Sequence, residues 1–334
     1  MQPGALSEFL KRGAIWAFIV LELVFFSVVG DAISVTNSAF LEWDNMLLLL
    51  KQSAPIGIIA LGMTIVMING NIDLSVGATF ALAAIVLLTV LGLPAVAGLG
   101  DVPAIIIAWG AALLTGLALG ALNGFIVWKT GVDAFIVTLG AMLGYRGLVF
   151  MINGEQPTSE LNWTLIDFAE AQFLGFHTAT WFLLGATLTF WYVMRYTVHG
   201  RNAYAIGDNR EAAVNAGIRV GPHMMINFMI IGFLAALSAA VFYSGSGSVN
   251  PNDGTLYELW VITAVVLGGT RLTGGSGSII STLGGVIAIQ LLRKGLGHIG
   301  ADTETVNLVI GLILIAVLFI DRQLEAKGRE ALKV

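Results

Sequence analysis

Long apolar blocks, nearly free of charge, constrain this chain more than any other feature. They run at 13–30, 46–69, 74–93, 103–128, 134–152, 178–197, 223–243, 257–270, 276–293 and 303–320. A helix needs about 20 mostly apolar residues to cross the hydrocarbon core of a bilayer. Lipid offers the backbone no partners, so a crossing segment must be a helix or part of a closed barrel. These blocks are much longer than barrel strands, which leaves helices. Charged residues make up only 11% of the 334, against about 25% in a soluble domain. That is too few to cover a water-facing surface. The expected fold is an all-α integral membrane protein, one transmembrane domain over 1–334 with about ten transmembrane helices. The block at 257–270 is too short for a full crossing, so a half-helix or re-entrant element is expected near 257–275.

Lys and Arg set the orientation, because they accumulate on the cytoplasmic side. With the N-terminus inside, the cytoplasmic segments hold Lys11, Arg12, Lys129, Arg195, Arg201, Arg210, Arg219, Arg271, Arg322, Lys327, Arg329 and Lys333. The outer loops 31–44, 94–102, 154–177 and 245–256 hold acids but no Lys or Arg. Arg293 and Lys294 depart from this pattern at one outer helix end. Both termini are therefore expected in the cytoplasm. The apolar run from Gly13 to Gly30 follows two cations as a signal sequence would. It is longer than a signal core and lacks a clean cleavage site, so it reads as an uncleaved first span. No cysteine occurs, which removes disulfides, thiolate metal sites and cysteine nucleophiles.

Glycine is abundant, with 41 residues. Gly116, Gly120 and Gly124 lie four apart, as do Gly140 and Gly144. Such spacing lets helix backbones approach closely in lipid, so these five are read as packing positions. Two further glycine-rich stretches interrupt apolar segments at corresponding places in the two halves, Asn69–Gly77 and Gly268–Gly277. Interruptions of this kind mark transport paths in other membrane proteins.

The largest inner loop, at about 198–222, contains a short capped helix. Asp208 or Asn209 is a natural N-cap, Glu211 falls in the first turn, and Gly217 can end the helix. A soluble partner could grip such a helix, and an ordinary connector would also look like this. The string Ala205-Ile206-Gly207-Asp208-Asn209-Arg210-Glu211-Ala212-Ala213, followed by Ala216-Gly217-Ile218, resembles the EAA-type coupling loop of ABC importer permeases. More closely, it is similar to the ribose-, xylose- and galactose-type permeases of the second carbohydrate-uptake family. Further blocks agree in order: Ala60–Thr64, Gly70–Gly77, Asn123-Gly124, Ala134–Gly140, Arg146-Gly147, Tyr257–Leu259, Ala264–Thr270 and Gly274-Gly275. Asn71 stands where that family commonly has glycine, and Trp260 where an acid is more usual.

The resemblance implies a permease of the bacterial inner membrane that passes a monosaccharide or polyol by alternating access. It implies an ABC ATPase subunit, a periplasmic sugar-binding protein and a second permease copy, identical or related, as partners. Gly207, Asn209, Glu211, Ala212, Ala213 and Gly217 would then form the ATPase-coupling loop. The chain has no Gly-x-x-x-x-Gly-Lys-Ser/Thr loop, and the glycines at 268–277 lack the phosphate-reaching lysine. ATP and Mg are thus assigned to the partner, with no cofactor, metal or covalent catalysis in this chain.

Polar residues inside a membrane are functional candidates by default. Asn71, Asp73, Ser75, Thr138 and Arg146 are the candidates for the pathway or its gate. Asp73 could instead cap the third span, and Arg146 could instead pair with a carboxylate. Glu22 lies mid-span and needs a partner, and Asn123 reads as interhelical glue. The four histidines are dispersed at helix ends without metal-ligand spacing, and no nucleic-acid patch exists. Two other readings remain: a permease for branched-chain amino acids or nucleosides, and an ion-coupled secondary carrier using Glu22 and Asp73. An intramembrane enzyme is disfavoured, because no acid, base and nucleophile share a mid-membrane position.

Overall fold

The computed structural model describes residues 3–35 and 39–331, with side chains described for residues 13, 15–35 and 39–319. The terminal cations Lys11, Arg12, Arg322, Lys327, Arg329 and Lys333 therefore lie outside the described side chains. The described residues are mostly helical. Helix α1 spans Pro3–Phe25 and continues through a π-helical turn at Phe26–Gly30. Then follow α2 (Trp43–Ile68), α3 (Val76–Leu91), α4 (Asp101–Thr130) and α5 (Ala134–Asn153). Next come the short α6 (Trp163–Glu170), α7 (Thr178–Tyr196), α8 (Val198–Asp208) and α9 (Arg210–Asn215). The last four are α10 (Val220–Ser246), α11 (Tyr257–Leu267), α12 (Ile279–His298) and α13 (Thr303–Ala331). Six of the described helical segments are long and apolar enough to cross a membrane: Ile15–Ile33, α2, α4, α5, α10 and α12. Val76–Leu91, Tyr257–Leu267 and Thr303–Phe319 are shorter apolar helices.

The centre of the bundle is α2, buried along nearly its whole length from Ser53 to Ile68. It can be apolar all round because other helices surround it. Pro55 sits inside it, and Gln290 and Ser238 donate to the nearby carbonyls of Gln52 and Pro55 at 2.7 and 2.8 Å. In lipid such donors replace what water would supply around a helical proline. Antiparallel to α2 runs α10, and α4 lies against α10 along the glycine stripe. A Cβ at Gly116 would stand 2.5 Å from that of Ala236, and one at Gly124 would stand 2.7 Å from Met225 Cα. At Gly120 it would overlap the Phe228 carbonyl. Only glycine permits backbones this close. On α5 the picture differs: Gly140 and Gly144 have open space where a Cβ would be. Among the described residues nothing packs on the two glycines, and Ile136, Leu139 and Leu143 are exposed beside them.

Short polar segments tie one end of the bundle together. Thr158–Ser159 pairs antiparallel with Ser248–Val249, and Gln172–Phe173 with Phe176–His177. Asp101 accepts hydrogen bonds from Asn162 and Thr164, and Lys51 forms an ion pair with Glu170 at 2.6 Å. Lys129, Arg195, Arg201, Arg210, Arg219 and Arg271 gather at the opposite end, where α4 and α7 finish and α10 begins.

The short helix α11 matches the truncated apolar block, but its setting differs from the loop expected at 245–256. After α10 the chain turns back among the helices, burying Val249, Pro251 and Gly254. A Cβ at Gly254 would overlap the Gly77 carbonyl at the start of α3. The entering segment precedes α11, whereas the glycine loop after it stays at the cation-rich end. Irregular backbone is tolerated at this depth because protein groups satisfy it.

Candidate functional site

Three segments distant in sequence meet at the cation-rich end. Helix α2 stops in a glycine cap: Gly70 takes φ +76°, its N–H bonds Met67 O at 2.9 Å, and Asn71 N–H bonds Val66 O at 3.0 Å. Helix α11 stops in the same way, with Gly269 at φ +86° and bonds from Gly269 to Val266 and from Thr270 to Val265. This six-to-one, five-to-two pairing satisfies carbonyls that the helix end would orphan. It also ends α9 and α12. The two breaks touch, since Gly275 N–H donates to Ile68 O at 2.9 Å.

Helix α8 closes the junction. At Gly207 a Cβ would overlap Ile68 O and stand 2.5 Å from Gly275 N. Tyr204 Oη donates to Gly277 O at 2.9 Å, and Asn69 Nδ2 reaches Ala203 O at 3.4 Å. The inner loop is thus seated directly on both breaks. Beyond it, α9 is capped as its sequence suggests. Asn209 Oδ1 accepts from Ala212 N–H at 2.9 Å, and Gly217 follows the helix with φ +84°. Ala213 packs inward, while Arg210, Glu211, Ala212 and Val214 face outward. The result is a short, capped, partly apolar knob with one side exposed.

A buried polar network stands behind the first break. Asp73 Oδ1 accepts from Ser75 N–H at 2.8 Å and from the Ser75 hydroxyl at 2.6 Å. Asn123 Nδ2 donates to Ser75 Oγ at 2.9 Å, and Tyr145 Oη donates to Asn123 Oδ1 at 2.7 Å. Thr138 Oγ1 accepts from Leu74 N–H at 3.1 Å. Asn71 bonds back to the Asn69 carbonyl at 3.1 Å. The N-cap position of α3 is Ser75, and Asp73 forms a turn two residues earlier. Of the pathway candidates, Asp73, Ser75 and Thr138 therefore share one site, bracing α3 against α4 and α5, while Asn71 stays with the end of α2. Tyr145 belongs to it too. No sequence signal set it apart from other membrane tyrosines.

Arg146 lies further along α5 and serves the re-entrant segment. Its Nη1 donates to the carbonyls of Pro251 and Asp253 at 2.6 and 2.7 Å. Its hydrogen-bond partners are backbone carbonyls, not the carboxylate that the sequence offered as one alternative. The Asp253 carboxylate accepts instead from Tyr243 Oη at 2.6 Å and from Asn250 N–H at 2.9 Å. Leu256 enters α11 at φ +67°, a conformation unusual for a branched side chain. Glu22 is buried, and neither carboxyl oxygen has a hydrogen-bond partner among the described residues. His199 and His223, 24 positions apart in the chain, stack with ring centroids at 4.3 Å. Burial pushes the His199 imidazole below its ordinary range. Among the described residues no group of three His, Cys, Asp or Glu is placed to hold a metal.

Helices of membrane-crossing length, built around two touching glycine breaks and carrying a projecting capped helix, are the architecture of a multi-pass membrane protein. The chain belongs to the family described as branched-chain amino acid transport system / permease component, whose model matches residues 45–318. It is 37% identical to the ribose import permease protein RbsC of Bacillus subtilis (strain 168), over 88% of this chain and 89% of that one. With the ribose import permease protein RbsC of Escherichia coli (strain K12) it shares 32% identity over 92% and 95% of the two chains. The autoinducer 2 import system permease protein LsrD of Yersinia enterocolitica is 31% identical over 91% and 89%. No solved structure matches the chain.

Proposed function

We propose that this chain is the transmembrane subunit of an ATP-driven importer that passes a monosaccharide or related polyol into the cytoplasm. The observation that carries the reading is the junction at Ile68, Gly207 and Gly275. A force applied to the exposed face of α9 reaches both helix breaks through α8, with no flexible linker between. Ten helices cross the membrane, and both termini lie with the cation-rich end in the cytoplasm. An ATPase subunit docks on α9 through Glu211 and its neighbours, and binds the ATP and Mg that this chain does not. A periplasmic binding protein delivers substrate to the opposite end. A second permease copy packs on the open face of α5, where Gly140 and Gly144 lie. Asn71, Asp73, Ser75, Thr138 and Arg146 hold the gate elements in register.

The sugar assignment is supported by the relatives' printed substrates, which are ribose, allose and autoinducer 2. The family's description favours one alternative, a branched-chain amino acid. Uptake into vesicles holding the chain with its ATPase and binding protein distinguishes them when labelled pentoses, hexoses and branched-chain amino acids are compared. Glu211→Arg abolishes ATP-dependent uptake and weakens ATPase association, while the membrane bundle still assembles. Uptake that persists without the ATPase would make a secondary carrier the better reading.

A further inference from the structure

A cavity of about 360 Å³ opens at the cation-rich end, between the last turn of α7, helix α8 and the loop leading into α12. Arg195 and Arg201 both line it, together with Trp191, Tyr204, Ser276 and Gly277. No acidic residue lines the cavity, and neither arginine pairs with a carboxylate among the described residues. Both arginines are exposed, so an anion entering the cavity meets two cations and no acid. Guanidinium is the side chain best matched to phosphate oxygens.

The surroundings say where the anion comes from. Trp191, Tyr192 and Tyr196 are exposed on the same helix end, and the Tyr196 ring meets Trp191 edge-on and Tyr192 at a tilt, with centroids 5.6 and 5.4 Å away. Amphipathic aromatics of this kind sit at headgroup level. Toward the other end of α7, an apolar groove of about 430 Å³ is lined by Phe182, Phe190, Phe233 and Leu237. A polar cation cavity and an apolar groove on one helix match the two parts of a phospholipid. Basic pockets between membrane helices on the cytoplasmic side are established lipid-headgroup sites.

We infer that Arg195 and Arg201 bind the phosphate of an anionic phospholipid, whose chains follow the α7 groove. The bound lipid bridges α7 to the 275–277 loop, beside the Gly207 contact, and so steadies the junction that receives the ATPase stroke. Only the choice of the inner leaflet rests on the proposed orientation.

Native mass spectrometry of the detergent-purified chain tests this with phosphatidylglycerol against phosphatidylcholine of the same chains. No ATPase or transport substrate is present, so a failure here leaves the transport reading untouched. The wild type retains phosphatidylglycerol preferentially. Arg195→Ala with Arg201→Ala lowers that retention by about 30-fold, the product of two cations at a membrane surface. The double lysine variant retains most of it, which shows that a loss is not misfolding. Lys129→Ala, at the same end but outside the cavity, retains wild-type binding. Equal retention of the two lipids, or an unchanged alanine variant, overturns the inference. So does displacement of the lipid by millimolar inorganic phosphate, which would make a soluble phosphate the occupant.

Discussion

Gly207→Ala is the sharpest test of how the inner loop reaches the membrane breaks. A methyl group there would overlap Ile68 O and stand 2.5 Å from Gly275 N. Non-bonded carbon contacts settle near 3.5–4.0 Å, so α8 must withdraw by about 1 Å or more. Overpacking of this kind costs about 1–3 kcal/mol. Withdrawal also strains the two hydrogen bonds that α8 makes across the seam, Tyr204 Oη to Gly277 O at 2.9 Å and Asn69 Nδ2 to Ala203 O at 3.4 Å. Each contributes about 1 kcal/mol. Alanine favours the isolated helix over glycine by roughly 1 kcal/mol. The junction therefore loses roughly 2–4 kcal/mol while α8 itself is not weakened. That separation matters, because a defect then reports on the contact and not on helix formation. The expected outcome is an ATPase that still binds and hydrolyses ATP while uptake falls more than about tenfold, the equivalent of 1.4 kcal/mol. Uptake and hydrolysis measured on the same proteoliposomes separate these quantities. Wild-type uptake by Gly207→Ala would refute the view that force passes through this contact.

Three further outcomes follow from the same geometry. Asn209→Ala removes the cap of α9 and about 1 kcal/mol of its stability; ATPase affinity falls, and Asn209→Asp restores it, as a pull-down titration would record. Gly120→Ala forces α4 away from the Phe228 carbonyl and lowers the unfolding temperature in detergent, whereas Gly140→Ala, which meets open space, leaves it unchanged. Arg146→Gln removes a charged donor from the Pro251 and Asp253 carbonyls, contributions of about 1.5–3 kcal/mol each; amide hydrogen exchange over 247–256 rises while that of α2 does not.

Much of this architecture is legible in the sequence, and the parts that are not share a cause. Apolar blocks fix the helices because lipid imposes length and backbone satisfaction locally. The cap of α9 is legible for the same reason: Asn209 and Gly217 act within a few residues of themselves. The re-entrant segment is not, since Ser248-Val249-Asn250-Pro251-Asn252-Asp253-Gly254 reads as an ordinary polar loop. What permits it to enter is a pair of donors more than 100 positions earlier, on one side chain at Arg146. The sequence suggested a carboxylate for Arg146 because carboxylates are the visible opposite charges. Backbone carbonyls are equally good acceptors and carry no sequence mark. Lys51 with Glu170, and His199 with His223, were likewise hidden by separation along the chain.

Glycine at the junction also makes the proposed coupling stiff. A contact made through side chains can absorb a small displacement by rotamer change. At Ile68, Gly207 and Gly275 the backbones themselves meet, and a backbone has no rotamer to yield. Motion of α8 must therefore move the end of α2 and the start of the 268–278 loop together. Behind that end, Asp73, Ser75, Asn123 and Tyr145 form one continuous bonded chain into α4 and α5. A displacement at the first break cannot remain local without breaking buried hydrogen bonds, whose partners have no water to replace them. The least costly response is for α3 to move with its network as a unit, and α3 carries Gly77 against Gly254 of the re-entrant segment. The loop surface, both breaks and the entering segment thus form one mechanical series, in which glycine contacts transmit the motion and buried polar bonds keep its members together.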